Sequence, residues 1–171
     1  MAASTQVSLS EYLGTVYKPD CEYIDGELIE RNVGEGPHSY IQAALTAWVF
    51  ARLKQLGLLT LTEQRVQVAE RHYRIPDICI IRREDFARII QRPPLLCIEI
   101  LSPEDRWSRV QESISDYLRF GVPEIWVIDP QNAMAWVCTP EAPIQQVQDG
   151  VLRWRDLELP FSDILPPTSE A

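Results

Sequence analysis

The sequence contains few lysines, no paired cysteines and no long apolar run. None of its apolar segments approaches the roughly 20 residues that a membrane-spanning helix needs. The first residues, Met-Ala-Ala-Ser-Thr, have neither the basic start nor the apolar stretch of a signal peptide. We therefore expect a cytoplasmic protein that does not span a membrane.

The cysteines are scattered along the chain rather than paired. None forms a CxxC motif, and three of the four lie within apolar runs. This pattern argues against a disulfide framework and against a zinc site. We expect all four to be small buried hydrophobic side chains: Cys21, Cys79, Cys97 and Cys138.

Positive charge is scarce. The net charge is −9, and only two of the 16 basic residues are lysines. Strong nonspecific binding of nucleic acid depends on neutralising phosphates with Lys and Arg, so we expect only low affinity for DNA. The arginines cluster between Arg82 and Arg92 and again at Arg106 and Arg109. These clusters suit either phosphate contacts or a solvated face with salt bridges.

Apolar periodicity and turn residues predict an α/β sandwich around a mixed β-sheet. The expected helices are a short one capped by Ser8, a long one at about His38 to Leu56, and a second long one from Asp105 to Gly121. The segment Leu95–Leu101 is apolar on both faces, which predicts a central strand. The other expected strands include a hairpin around Asp25-Gly26, Leu59–Leu61, Arg65–Ala69, Asp77–Ile81, Glu124–Ile128 and a meander from Met134 to Trp154.

The length of 171 residues suits one domain over 1–171, with a core at about 8–155 and a disordered tail at about 166–171. Apolar spacing predicts that Trp107, Tyr117 and Trp126 are core residues, whereas Trp136 and Trp154 are candidates for exposed interaction sites. His72 is expected in a polar turn without a functional role.

Two carboxylates accompany the predicted buried strands. Asp77 heads the apolar run Ile78–Ile81, and Glu99 interrupts the run of the central strand. A buried carboxylate loses hydration that apolar neighbours cannot replace, so it needs a partner or a metal. If the two strands are adjacent, both carboxylates converge, and hard oxygen ligands suit Mg²⁺. Alternatively, Glu99 pairs with an arginine and Asp77 caps a turn after proline.

The order of several short motifs carries a family resemblance. Pro76-Asp77 is followed 22 residues later by Glu99-x-Leu101-Ser102-Pro103, and then by Tyr117-x-x-x-Gly121-Val122-Pro123-Glu124-x-Trp126-x-x-Asp129-Pro130. Upstream lie Cys21-Glu22-Tyr23-Ile24-Asp25-Gly26-Glu27-Leu28 and the helix-opening His38. Together these residues resemble the Uma-type family of restriction endonucleases, within the PD-(D/E)XK nuclease superfamily.

This resemblance implies a restriction-endonuclease-like core, with a mixed central sheet flanked by helices. It also implies that Asp77 and Glu99 are catalytic and bind Mg²⁺, with Mn²⁺ as an alternative, together with the carbonyl of Ile100. The metal positions a water for attack on a DNA phosphodiester bond. Glu22 either contributes a further carboxylate or faces solvent on its strand. Members of the family also suggest a homodimer or higher homo-oligomer.

The chain departs from the superfamily pattern at the catalytic lysine. The position two residues after the glutamate is Leu101, and the position where many family members carry a basic residue, four before the tyrosine, is Ser113. Arg109, or Arg106, is the candidate substitute, although arginine is a poor general base. Alternatively, Arg109 pairs with Asp105 on the helix surface.

Two further residues are assigned supporting roles. His38 either orients a carboxylate or makes a local hydrogen bond at the helix start, and Ser102 is expected to be an N-cap or a hydrogen-bond partner of the site. Two functions therefore stay open. One is a Mg²⁺-dependent endodeoxyribonuclease, and the other is a catalytically inactive, dimeric binding or assembly module with a nuclease fold.

Overall fold

The computed structural model describes residues 6–32 and 34–167. Its α-helices are α1 (Leu9–Gly14), α2 (Gly36–Leu53) and α3 (Trp107–Phe120). Its strands are β1 (Cys21–Ile24), β2 (Glu27–Glu30), β3 (Leu58–Thr62), β4 (Val66–Ala69), β5 (His72–Arg74), β6 (Ile78–Arg82), β7 (Leu96–Ile100), β8 (Ile125–Asp129), β9 (Met134–Cys138), β10 (Gln145–Gln146), β11 (Val151–Trp154) and β12 (Leu157–Pro160). Short 3₁₀ turns occupy Lys54–Leu56, Arg83–Asp85 and Phe161–Asp163.

Some expectations concern the ends of the chain. The N-terminal residues 1–5, on which the absence of a signal peptide rests, and residues 168–171 of the expected disordered tail lie outside the described residues. No helix within the described ranges is both long enough and apolar enough to cross a membrane. The single domain over 1–171 stays a prediction.

A six-stranded mixed sheet forms the centre of the molecule. Its strand order is β10-β9-β8-β7-β6-β3, so β7 is an interior strand, as its apolar sequence predicted. Strand β7 pairs in parallel with β8 and antiparallel with β6. The connection from β7 to β8 runs through α3, because parallel neighbours need a crossover. The mixed α/β fold with flanking helices is confirmed.

Strand alternation divides the core between the two long helices. Ile98 and Ile100 of β7 lie in the same cluster as Ile41 and Leu45 of α2. Cys97 lies instead in the cluster that contains Val110, Ile114 and Tyr117 of α3. Because successive side chains of a strand point to opposite faces, Glu99 shares the α3 face with Cys97.

A second, four-stranded antiparallel sheet has the order β2-β1-β5-β4. Its hairpin turns at Asp25-Gly26, where both residues have positive φ, as the favoured two-residue turn requires. The expectation that His72 lies in a turn is wrong, because His72 begins β5 and pairs with Ile24. Strand β5 has only three residues, too few for a period of two to be recognised.

The tryptophans follow the expectation only in part. Trp126 and the phenol of Tyr117 are buried as predicted. Trp107 is not a core residue, since it begins α3, is 38% exposed and lies 5.2 Å from the half-buried Trp136 between ring centroids. Trp154 is not an exposed site either. It is 6% exposed because β12, which the apolar pattern did not reveal, pairs with β11 and completes this part of the core.

All four cysteines are buried and free, as expected. Burial raises the pKa of the Cys79 thiol to about 12 and that of Cys138 to about 11. These thiols are therefore neutral hydrophobic groups at physiological pH.

Candidate metal centre

A cavity of about 100 Å³ lies where β7 ends, between α3 and the β1-β2 hairpin. Arg106, the other candidate substitute for the lysine, does not line it, whereas the remaining predicted site residues do: Glu22, His38, Asp77, Glu99, Ile100, Ser102 and Arg109. The two lysine-equivalent positions, Leu101 and Ser113, line it too. The structure therefore brings together residues that are up to 91 positions apart in the sequence, from 22 to 113.

Asp77 immediately precedes β6 and is 2% exposed. Its Oδ2 accepts a hydrogen bond from the backbone N–H of Ile100 at 2.6 Å, which joins the start of β6 to the end of β7. Its Oδ1 lies 2.5 Å from Nη2 of Arg31 and 3.3 Å from Nε2 of His38. Burial alone would raise the pKa of Asp77, but the His38 hydrogen bond and the Arg31 charge hold it below its usual range.

Glu99 has a different environment. The hydroxyl of Tyr117 donates a hydrogen bond to its Oε1 at 2.6 Å, whereas its Oε2 accepts none from the residues that the structure describes. Burial and the negative charge of Asp77 raise the pKa of Glu99 well above its usual range. The alternative that Glu99 forms an ion pair with an arginine is wrong for the described residues. Its partner is a phenol on α3.

Arg31 is a site residue that sequence reasoning missed. It directly follows β2, and its half-buried guanidinium forms ion pairs with both Asp77 and Glu63. Burial disfavours its charge, but Asp77 and Glu99 outweigh this effect and raise the pKa of Arg31. One signal was available in the sequence, because two converging buried acids require a nearby cation if no metal is present.

Glu22 is 8% exposed, so the alternative of a solvent-facing charge is wrong. Its Oε2 accepts a hydrogen bond from Nη1 of Arg74 at 2.7 Å, and its Oε1 accepts one from the backbone N–H of Ile75 at 3.0 Å. Arg74 also bonds to Asp116 of α3, with Nη2 at 2.7 Å from Oδ2. Both carboxylate oxygens of Glu22 are therefore occupied, which suits a supporting role.

Ser102 is not the N-cap of α3, because the helix begins at Trp107 and its N-cap is Arg106. A tight turn precedes the helix instead: the N–H of Ser102 donates to Oδ2 of Asp105 at 2.6 Å. Asp105 also accepts from Nδ2 of Asn32 at 2.7 Å. In the described ranges Asp105 forms no ion pair with Arg109, which is an exposed residue at the cavity edge.

The oxygen atoms at this cavity fit a small hard cation. Two carboxylates from neighbouring strands and the carbonyl of Ile100 are ligands that Mg²⁺ prefers. Within 6–32 and 34–167, no three His, Cys, Asp or Glu side chains form a metal-binding group. Mg²⁺ nevertheless keeps several waters and is usually held by one or two carboxylates, so two suffice. The fit has one complication, which is the guanidinium of Arg31 on Asp77 Oδ1.

Comparisons with known proteins agree with this architecture. A crystal structure described as "a putative nuclease belonging to DUF820" from Anabaena variabilis superposes with a TM-score of 0.83 at 26% sequence identity. The match covers 92% of this chain and 97% of that one. No curated protein matches the chain. The model of the family Uma2, described as "Putative restriction endonuclease", matches residues 11–165, and the chain therefore belongs to this family.

Proposed function

We propose that the protein is a Mg²⁺-dependent endonuclease that hydrolyses DNA phosphodiester bonds, with Asp77, Glu99 and the Ile100 carbonyl as metal ligands. The observation that carries the proposal is the convergence of Asp77 and Glu99 at one cavity, with one oxygen of Glu99 left without a hydrogen bond among the described residues. Membership of a family described as restriction endonucleases supports DNA as the substrate.

When bound, Mg²⁺ would polarise the phosphodiester and lower the pKa of a coordinated water. The chain's own groups fix the two carboxylates for this task. The N–H of Ile100 orients Asp77, and the hydroxyl of Tyr117 orients Glu99. Such supporting hydrogen bonds hold metal ligands in position. Arg109, exposed at the cavity edge and without an ion pair among the described residues, is the candidate for binding the substrate phosphate.

Among the residues that the structure describes, the two lysine-equivalent positions supply no general base. Leu101 is at the position of the superfamily's lysine, and Ser113 is at the position where many family members carry a basic residue. Both line the cavity, and neither side chain takes up a proton at neutral pH. Arginine stays protonated, so Arg109 can stabilise charge but cannot activate water. We therefore expect slow cleavage, and Ser113→Lys should accelerate it roughly tenfold or more, since general bases contribute about 10²- to 10⁴-fold.

The proposal is tested by nicking of supercoiled plasmid in Mg²⁺ or Mn²⁺. Wild type should nick, and Glu99→Gln and Asp77→Asn, purified identically, should not. Both variants keep the size of the side chain and remove one negative charge, so they also control for contaminating nucleases. Nicking that persists equally in both variants would exclude the proposed carboxylates.

A second candidate function is a catalytically inactive, dimeric binding or assembly module. Two observations favour it: Arg31 already neutralises Asp77, and the two lysine-equivalent positions carry no charge. In this case, wild type shows no nicking in either metal, and Ser113→Lys does not restore it. Light scattering would then report a dimer, and fluorescence anisotropy would report whether DNA binds at all.

A further inference from the structure

Among the described residues, the backbone donates no hydrogen bond to Oδ1 of Asp77, and Arg31 lies on this oxygen. Oδ2 already accepts the N–H of Ile100, so Oδ1 is the oxygen better placed for a metal, and the Arg31 guanidinium sits on it at 2.5 Å, with Nε2 of His38 at 3.3 Å. We propose that Arg31 is a built-in counter-ion that competes with the divalent cation for Asp77 Oδ1. This inference rests on the metal site proposed above and adds a residue that controls its occupancy.

For electrostatic reasons, we expect Oδ1 of Asp77 to bind either the Arg31 guanidinium or the divalent metal ion, and not both at once. Asp77 is 2% exposed, and leaving a buried carboxylate without a cation is strongly unfavourable. A guanidinium and a divalent ion on the same oxygen would repel each other in a poorly solvated site. One positive group at a time therefore stabilises Asp77, and Arg31 fills this role in the protein without metal.

Arg31 has a second carboxylate to hold after it leaves Asp77. Its Nη1 pairs with Oε2 of Glu63, whose side chain is 40% exposed and lines a neighbouring pocket together with Arg31 and Asp77. Gln42 keeps Glu63 in place, because its Nε2 donates to Oε1 of Glu63 at 2.7 Å and to the carbonyl of Asp77 at 3.1 Å. A short rotation of the Arg31 side chain toward Glu63 would free Asp77 while its own charge stays paired.

The test is a calorimetric titration of Mn²⁺ and of Mg²⁺ into wild type and Arg31→Met. Methionine approximates the length of arginine and removes its charge and hydrogen bonds. Without competition the cation should bind roughly tenfold more tightly or better, because it no longer has to break a charge-assisted hydrogen bond. Thermal unfolding gives a second readout: Arg31→Met should melt at a lower temperature than wild type without metal, and saturating Mn²⁺ should remove most of this difference.

Arg109→Met is the matched control. It removes the same charge from the same cavity, but Arg109 forms no ion pair in the part of the chain that the structure describes. Its effect on metal affinity should be less than about threefold, since it reflects only screened long-range electrostatics. If both variants gained the same metal affinity, the gain would come from the loss of a nearby positive charge in general. Direct competition between Arg31 and the metal at Asp77 would then be wrong.

Other outcomes separate the inference from the proposed metal site. If wild type binds the metal and Arg31→Met binds it equally or more weakly, the counter-ion inference is wrong and the metal site stands. If only Arg31→Met binds, and the added change Glu99→Gln abolishes this binding, Arg31 closes the site in the natural chain. If neither binds, both ideas fail. Should Arg31→Met not fold, Arg31→Lys replaces it, with a smaller gain in affinity expected because lysine bonds one carboxylate at a time.

Discussion

Two arginines line one cavity and differ in the exposure of the carboxylates that they bind. The Arg74 network consists of Arg74, Glu22 and Asp116, and every one of these groups is buried or nearly so. The Arg31 network consists of Arg31, Asp77 and Glu63, of which Glu63 lies at the surface. The first network joins β5 and β1 to α3, and the second joins the end of the β1-β2 hairpin to the start of β6.

The difference indicates which ion pairs stabilise the fold and which one is replaceable. In the Arg74 network each charge is already matched by hydrogen bonds, and no oxygen of Glu22 is left for a ligand. In the Arg31 network the guanidinium occupies the position where we propose a divalent cation. It lies near Glu99, whose Oε2 accepts no hydrogen bond from the described residues. We therefore expect the first network to stabilise the fold, and we propose metal exchange for the second.

The largest expected effect is the loss of the Arg74 network. Arg74→Met removes the arginine that pairs with the buried Glu22 and leaves Asp116 with only the more distant, exposed Arg119 at 3.7 Å. Breaking a buried pair costs about 3 to 5 kcal/mol. Urea denaturation should report this loss as a lower free energy of unfolding, and Mn²⁺ should not recover it. Arg153→Met, which breaks an exposed ion pair with Asp149 and Glu158, should change the midpoint very little. If Mn²⁺ restored the free energy of unfolding of Arg74→Met, the proposed difference between the two networks would be wrong.

A smaller effect is expected from Tyr117→Phe, which removes the hydrogen bond to Oε1 of Glu99. Metal affinity should fall by about 10- to 100-fold, because groups that orient metal ligands have effects of this size. Stability should fall by about 1 to 3 kcal/mol, since a buried acceptor loses its donor.

Tyr23→Phe provides the control for Tyr117→Phe. Its hydroxyl bonds to the carbonyl of Val7 in a separate aromatic cluster, away from the cavity. Stability should change, whereas the calorimetric affinity for Mn²⁺ should not. If both variants weaken metal binding equally, Tyr117 has no specific link to the site.

The smallest expected effect concerns the pH dependence of stability. The pKa of Glu99 is raised, so its contribution to stability is complete below the ordinary carboxyl pKa of about 4.3 and is lost as pH rises through the raised value. The pKa of Asp77 is lowered, so its contribution is present above the ordinary range and is lost as pH falls through the lowered value.

Glu99→Gln should therefore match wild type at about pH 4 and exceed its stability at neutral and alkaline pH, without metal. Asp77→Asn should be less stable than wild type at neutral pH, and this difference should shrink in acid. Urea midpoints between about pH 4 and pH 9 check both statements. A Glu99→Gln curve parallel to that of wild type at every pH would contradict the contrast between the two carboxylates.

Much of the central fold could be predicted from the sequence. Leu95–Leu101 is apolar on both faces because it is an interior strand of the six-stranded sheet. Asp25-Gly26 marks the β1-β2 hairpin of the other sheet, because few residues accept positive φ in such a turn. The short strands β5 and β12 were missed, since three or four residues do not establish a period. The exposure of Trp107 was missed because periodicity identifies the apolar face of a helix and does not show that its first residue is only partly covered.

The residues that line the candidate site were largely predictable, whereas the side chains that bind its two acids were not. Asp77 and Glu99 interrupt or head apolar runs, so each is visible as a costly buried charge. Arg31 looks like any arginine after a surface strand, and Tyr117 looks like an ordinary core aromatic. Their roles depend on long-range pairing across the hairpin and α3, which local sequence patterns do not encode.

The most direct test of the metal site is a crystal structure soaked in Mn²⁺ and measured for anomalous scattering. We predict a peak roughly 2.0 to 2.3 Å from oxygens of both Asp77 and Glu99 and of the Ile100 carbonyl, with the Arg31 guanidinium moved toward Glu63. The contradictory result is a cavity without a peak at saturating Mn²⁺, in which Arg31 still lies on Asp77.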